Sequence, residues 1–238
     1  MPNTCFNLKQ FAVEQDKCAM KIGTDAILLG AWTNCSDVKI ILDIGTGTGI
    51  LALMMAQKCE AKIYAIDIEE QAIIQAKENI LNSLWNNRIH AFHSSIQDFE
   101  APINKFDLIV INPPFFQNSL QAPDNARTHA RHNKSLTPED IITVSHKLLS
   151  DNGRLSIIWP FEQGESFIEM ALTRNLFCRR KLLVKPNPTK MFHRILLEFG
   201  FENTKTVSEE LIIETGARHH YTDDYKELTK DYYLHFKY

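Results

Sequence analysis

The chain has 238 residues, 44% hydrophobic and 23% charged, enough to bury one sizeable core and unlike the composition of a disordered chain. A net charge of −3 excludes strong whole-molecule attraction to nucleic acid or to an anionic membrane, so any such partner must be held by a local patch. The five cysteines, Cys5, Cys18, Cys35, Cys59 and Cys178, are odd in number, dispersed and without a C-x-x-C pair, the pattern of free thiols in a reducing cytoplasm.

Residues 1–38 read as an extension packing at the active-site edge of the core, with no apolar leader, and no uncharged apolar run of membrane length occurs anywhere, so a soluble cytoplasmic protein is expected. Within the extension, "KIGTDAILLGAW" predicts a helix over Thr24–Trp32. From Lys39 the pattern alternates between short β-branched runs and longer helical ones: "KIILDIG", "TGILALMMAQK", "AKIYAID", "EEQAIIQAKENILNS", "RIHAFHS", "KFDLIVIN". That alternation predicts βαβ units, hence a doubly wound α/β core over residues 39–203 with helices on both faces of a mostly parallel sheet. A long loop, Pro113–Leu136, precedes a helix signalled by Thr137 as N-cap, Pro138 in the first turn, and Glu139 and Asp140 against the dipole. "GRLSIIWP" and a helix over Glu162–Asn175 follow, and "FCRRKLLVKPNPTKMFHRILLEFGF" reads as two strands joined at "KPNPT", a hairpin adding an antiparallel edge. Residues 204–238 form a C-terminal extension with a short helix capped by Thr222.

"DIGTGTG" follows a strand and opens a helix, the place where nucleotide-type ligands lie against open α/β sheets. Gly45, Gly47 and Gly49 let the backbone approach a ligand where a Cβ would collide. The dinucleotide fingerprint fails, because Ile50 stands where its third glycine belongs. Asp67 ends the next strand and is placed to accept from two ribose hydroxyls, which NAD and S-adenosylmethionine (SAM) sites both require, and Asp98 follows the third strand where an adenine amino group could be read.

"INPPFF" falls at the carboxyl end of the fourth strand of the core. There the Asn112 side-chain oxygen and the Pro113 carbonyl can accept both hydrogens of a planar –NH2 while an adjacent phenylalanine stacks on its ring. The lone pair of such a nitrogen is delocalised, and donating both hydrogens draws it toward a tetrahedral, nucleophilic shape. The chemistry predicted is methyl transfer to an aromatic or amide nitrogen without a strong base.

"DIGTGTG", "AID", "QDF" and "NPPF", in this order, resemble the class I SAM-dependent methyltransferases of exocyclic and amide nitrogens, with a Rossmann-like seven-stranded sheet. "KIGTDAILLGAW", "ARHNKSLTPEDII" and "YTDDYKELTKDYYL" resemble, more narrowly, the bacterial tRNA(Val) adenine-N6 methyltransferases, which act beside the anticodon. The resemblance implies a SAM site drawn from Thr24, Asp43, Gly45, Gly47, Asp67, Ile68, Asp98, Phe99 and Asn112, and a catalytic motif Asn112, Pro113, Pro114 and Phe115. Transfer to guanine N2 of ribosomal RNA, transfer to a protein glutamine, and a non-catalytic SAM- or RNA-binding module are the alternatives. The short N-terminal extension and Phe115 in place of a tyrosine weigh against glutamine, and retention of Asn112 and Pro113 weighs against a non-catalytic module.

An acidic protein that binds tRNA needs concentrated positive charge. The segment from Arg174 to Arg194 holds seven lysines or arginines and no acid, including Arg179, Arg180, Lys181, Lys190 and Arg194, and Arg127, Arg131 and Lys134 lie in the loop beside the site. His129 and His132 have no third ligand at recognisable spacing, so no metal is expected; monomer and homodimer both remain open.

Overall fold

The structure, a computed structural model, describes residues 4–113 and 136–235. A short antiparallel ribbon, β1 (Cys5–Asn7) and β2 (Ala12–Glu14), precedes helix α1 (Thr24–Trp32). The core then alternates as β3 (Ile40–Ile44), α2 (Ile50–Lys58), β4 (Lys62–Asp67), α3 (Glu70–Leu81), β5 (Ile89–His93) and β6 (Phe106–Ile111). After residue 136 come α4 (Pro138–Leu148), β7 (Leu149–Pro160), α5 (Phe161–Leu172), β8 (Phe177–Lys185), β9 (Arg194–Gly200), β10 (Val207–Ile212) and α6 (Asp223–Thr229).

The sheet order is β10-β8-β9-β7-β6-β3-β4-β5. Strands β5, β4, β3, β6 and β7 are mutually parallel, and the β8–β9 hairpin joins β7 antiparallel through β9, as the sequence predicts. Strand β10 adds an eighth member, parallel to β8, in the segment read as a plain extension. Its first four residues are exposed and two are glutamates, so neither a core pattern nor β-propensity marks it.

Alternate residues of each inner strand feed two separate cores. Ile41, Leu108 and Val110 pack toward α1, α2 and α3, and Leu42, Ile44, Ile109 and Ile111 pack toward α4 and α5. Both faces are thus covered, which is why these strands read as continuous apolar runs. Helix α2 is buried from Ile50 to Ala56 and lies beneath both chain ends. Leu8 bridges to Tyr233, Lys9 N donates to the Tyr232 carbonyl at 2.9 Å, and the Tyr232 hydroxyl donates to the Met54 carbonyl at 3.4 Å. Helix α4 begins on the expected capping box: Asp140 N donates to Thr137 Oγ1 at 3.1 Å and Thr137 N to Asp140 Oδ2 at 3.0 Å. Helix α5 ends at Leu172, three residues short of the expected Asn175, which adopts a left-handed φ of 57° and turns the chain into β8.

Two buried amides on α3 fix the N-terminal arm. Asn79 Nδ2 donates to the Glu14 carbonyl at 2.8 Å and to the Thr48 carbonyl at 2.9 Å, while its Oδ1 accepts from Glu14 N at 2.9 Å. Gln75 Oε1 accepts from Lys17 N at 2.9 Å. Asn79→Ala would leave two carbonyls and an amide without these partners, and a loss of about 1–3 kcal/mol in unfolding free energy is expected by urea titration. A change below about 0.5 kcal/mol would show that the arm is held elsewhere.

Candidate active site

The chain runs from β3 outward through β4 to β5 on one side, then returns to β6 on the other, so the sheet reverses direction between β3 and β6. Ligands of open α/β sheets lie at the carboxyl end of such a switch point. Ile44 pairs with Ile111 and with Ile66, and Asp67 pairs with His93. Asn112, Gly45, Asp67 and Ser94 therefore leave four adjacent strands at nearly one level, along a line of three strand spacings, about 14 Å.

Between β3 and α2 the chain turns through Gly45, Gly47 and Gly49 at φ values of 72°, 55° and 84°, the left-handed region that favours glycine. A Cβ on Gly45 or Gly47 would meet no other atom within 4 Å, so these two face open space, whereas one on Gly49 would sit 3.4 Å from Ala76 Cβ. The first two glycines line the crevice and the third lets α2 pack against α3.

The loop's amides point inward. Gly45 N and Thr46 N both donate to the Ile66 carbonyl at 2.9 and 3.0 Å, Gly47 N to Asp67 Oδ2 at 2.8 Å, and Gly49 N to the Thr46 carbonyl at 2.9 Å. At the α2 N-terminus, Asp43 Oδ2 accepts from Ala52 N at 3.2 Å and from Thr46 Oγ1 at 2.6 Å. A pyrophosphate needs those amides and that helix end free of acids. Here the Gly45, Thr46, Gly47 and Ala52 amides are taken, two of them by carboxylates. An acid at Asp67 bonded into the loop suits a phosphate-free, cationic nucleoside better than a pyrophosphate.

Asp43 is fully buried, and its Oδ1 accepts no hydrogen bond. Burial pushes its carboxyl up to about 7; the Thr46 and Ala52 bonds oppose this and the Asp67 charge adds to it. Burial also raises Asp67, against the bonds from Glu69 N and Gly47 N. Beside Asp67 the apolar Ile68 is 38% exposed. Asp98 Oδ2 accepts from Ser95 Oγ at 2.7 Å on an exposed turn, and Phe99 is buried with its ring 6.1 Å from that of Phe92. Asn112 is half-buried and Pro113 buried, one and two residues past β6. Thr24 opens α1, and the adjacent Asp25 accepts from Arg194 Nε at 2.9 Å. Pro114, Phe115, Arg127, Arg131, Lys134, His129 and His132 lie outside the described residues.

The N-terminal extension, expected at the active-site edge, is tied to the ligand loop through Asn79, which donates to the Glu14 carbonyl in the arm and to the Thr48 carbonyl in the loop. Cys18, in the same arm, is buried, and burial first and the Asp67 charge second raise its thiol to about 11. The side chains that hold the arm, Gln75 and Asn79, are polar residues at buried positions of α3 where the helical period calls for apolar ones.

The basic run from Arg174 to Arg194 is largely neutralised in the fold. Arg179 lies 3.5 Å from Glu202, Arg180 lies 3.5 Å from the buried Glu198, and Lys181 lies 3.2 Å from Glu165. Lys185 faces Glu210 at 3.9 Å, and Arg180 also stacks over Trp32 at 4.7 Å. The acids come from other segments, which a count along the sequence does not include. Among the described residues no group of three or more His, Cys, Asp or Glu could hold a metal ion, and no helix is long and apolar enough to cross a membrane.

Residues 19–177 match the family model described as the methyltransferase small domain. A tRNA1(Val) (adenine(37)-N6)-methyltransferase of Bacteroides thetaiotaomicron is 45% identical over 239 residues, covering 100% of both chains. One of the same name from Trichodesmium erythraeum is 44% identical, over 97% of this chain and 98% of that one. Among solved structures, one described as a predicted O-methyltransferase from Agrobacterium tumefaciens superposes with a TM-score of 0.66 at 19% identity, covering 87% of this chain and 96% of that one. M. capricolum TrmK, in complex with S-adenosyl-homocysteine, superposes with a TM-score of 0.52 at 15% identity, over 80% of this chain and 72% of that one.

The raised Asp43 carboxyl carries a pH signature. An unfolded aspartate titrates near 3.9, so between about pH 4 and pH 7 the unfolded chain releases a proton that the folded one keeps, and folding loses stability across that window. Asp43→Asn removes this term. Its stability relative to the parent is expected to improve by on the order of 3 kcal/mol between pH 4.5 and pH 7.5 in urea titrations, and a pH-independent difference would contradict the assignment.

Proposed function

Because this chain belongs to the methyltransferase small domain family, we propose that it transfers the methyl group of S-adenosyl-L-methionine to the exocyclic N6 of an adenosine in tRNA, adenosine 37 beside the anticodon of tRNA1(Val), the reaction named for its full-length relatives. The observation that carries the reading is the glycine loop whose amides are bound inward by Asp67 and neighbouring carbonyls, beside Asn112 on the next strand. When bound, SAM supplies an electrophilic methyl on a positively charged sulfur.

The residues divide the work along the strand ends. Asp43 supports the site from behind, bonding Thr46 and Ala52, and the open face of Gly45 and Gly47 suits the cofactor's backbone. Asp67 keeps a lone pair on each oxygen after accepting from Gly47 N and Glu69 N, enough for two ribose hydroxyls. Ile68 and Phe99 flank the adenine, with Asp98 accepting from its amino group, and Thr24 closes the crevice from α1. The target amine donates its two hydrogens to Asn112 Oδ1 and the Pro113 carbonyl. Those two dipoles hold nitrogen in line and stabilise the positive charge that develops on it. Pro114 sets the direction of the chain and Phe115 stacks on the target base, roles assigned from the motif alone.

Catalysis is assigned to residues 39–203, with 1–38 bordering the crevice and 204–238 extending the sheet. The tRNA stem is assigned to Arg127, Arg131 and Lys134 together with the 179–194 segment, and the site of action to the cytoplasm.

Label transferred from methyl-labelled SAM to an unmodified tRNA1(Val) transcript is expected as N6-methyladenosine, and to be absent when A37 is replaced by guanosine. In the same assay at saturating substrates, Asn112→Ala should lower kcat by about 100-fold, the scale of one lost transition-state contact. Label in guanine, or in glutamine of a protein substrate supplied in a parallel assay, would overturn the substrate, and full turnover by the Asn112 variant would overturn the amine clamp.

A further inference from the structure

The hairpin that joins β8 to β9 rises beyond the carboxyl end of the sheet, two to three strands from β6. Ile44, Ile111, Ile157, Leu197 and Lys181 form one row across the sheet, level with the end of β3. Beyond that row, β7 continues to Pro160, which pairs with Arg194, and Val184 pairs with the same Arg194. Three further residues per strand raise this wall about 10 Å above the strand ends that carry the glycine loop and Asn112. Residues 186–193 cap the wall. Arg194 ties its base to α1 through Asp25, one residue from Thr24.

The cap is built rather than loose. Pro186 and Pro188 limit its backbone, and Asn187 Oδ1 accepts from Thr189 N at 3.1 Å and Thr189 Oγ1 at 2.9 Å. Phe192 packs on Phe161 with ring centroids 5.4 Å apart, and Lys185 Nζ lies 4.3 Å from the Phe192 centroid. This scaffold presents Met191, 83% exposed, next to exposed Lys190. Among the described residues Lys190 makes no ion pair, unlike Arg179, Arg180, Lys181 and Arg194 of the same run.

From an exposed thioether and an unneutralised ammonium on a braced ledge above the amine site, the geometry points to a docking surface for single-stranded RNA: an unstacked base flanking the target lies on Met191, and its phosphate on Lys190. A thioether is a soft, sequence-tolerant platform for a base, and a lysine is a point charge for phosphate. The ledge rests on the tRNA reading above and adds to it the residues that hold the loop while one base enters the crevice. It also explains how an acidic chain whose basic run is mostly paired still engages RNA at the site of reaction.

The test is steady-state methylation of the tRNA transcript by the full chain carrying Lys190→Ala and Met191→Ser together, with SAM affinity measured in parallel. The account expects the KM for tRNA to rise about tenfold, kcat at saturating RNA to change less, SAM affinity to stay put, and the log–log salt slope of RNA binding to fall by about one. A parent enzyme that methylates tRNA and a variant with the same KM and salt slope would overturn the ledge alone. A parent that transfers no methyl to any tRNA would overturn the functional reading, and the ledge with it.

Discussion

The Asp67 carboxylate accepts the Gly47 amide at 2.8 Å and the Glu69 amide at 2.9 Å, and so ties the glycine loop after β3 to the end of β4. Everything at the carboxyl end of the sheet takes its place from this constraint. The loop holds three left-handed turns in five residues, which only its glycines adopt without strain, and the Asp67 and Asp43 bonds fix which way those turns face. One consequence is shape, an open floor in front of Gly45 and Gly47. Another is charge: the Gly45, Thr46 and Gly47 amides are bonded inward, and the Asp67 carboxylate stands beside the open floor.

Asn79 extends the same constraint to the N-terminal arm, since it bonds Thr48 in the loop and Glu14 in the arm at once. On the opposite side the β7–β9–β8 wall is fastened to α1 through Arg194 and Asp25. The crevice is therefore bounded by elements distant in sequence but tied by buried or half-buried polar contacts, the arrangement that keeps a reacting geometry fixed.

Much of this was legible in the sequence. The alternation from Lys39, the failed dinucleotide fingerprint at Ile50, the Thr137 cap and the hairpin at "KPNPT" each rest on local rules that the fold obeys. Strand β10 was not legible, because an exposed strand that docks on β8 carries no core periodicity of its own. Nor was the pairing of Arg179, Arg180, Lys181 and Arg194, whose acids, Glu202, Glu198, Glu165 and Asp25, lie on other segments; a charge run describes a surface only after its neighbours are known. The ledge at Met191 escaped for a related reason. "NPTKMFH" is ordinary turn sequence until strand register lifts it above the crevice.

The most direct test of the central claim is calorimetric titration of SAM into the parent protein and into Asp67→Ala. The account predicts that the parent binds one SAM per chain and that the variant binds at least about tenfold more weakly, having lost the ribose acceptor and the Gly47 anchor together, each a charge-assisted bond. Equal affinity in the two proteins would contradict it, because the glycine loop would then hold its ligand without the residue that sets its shape.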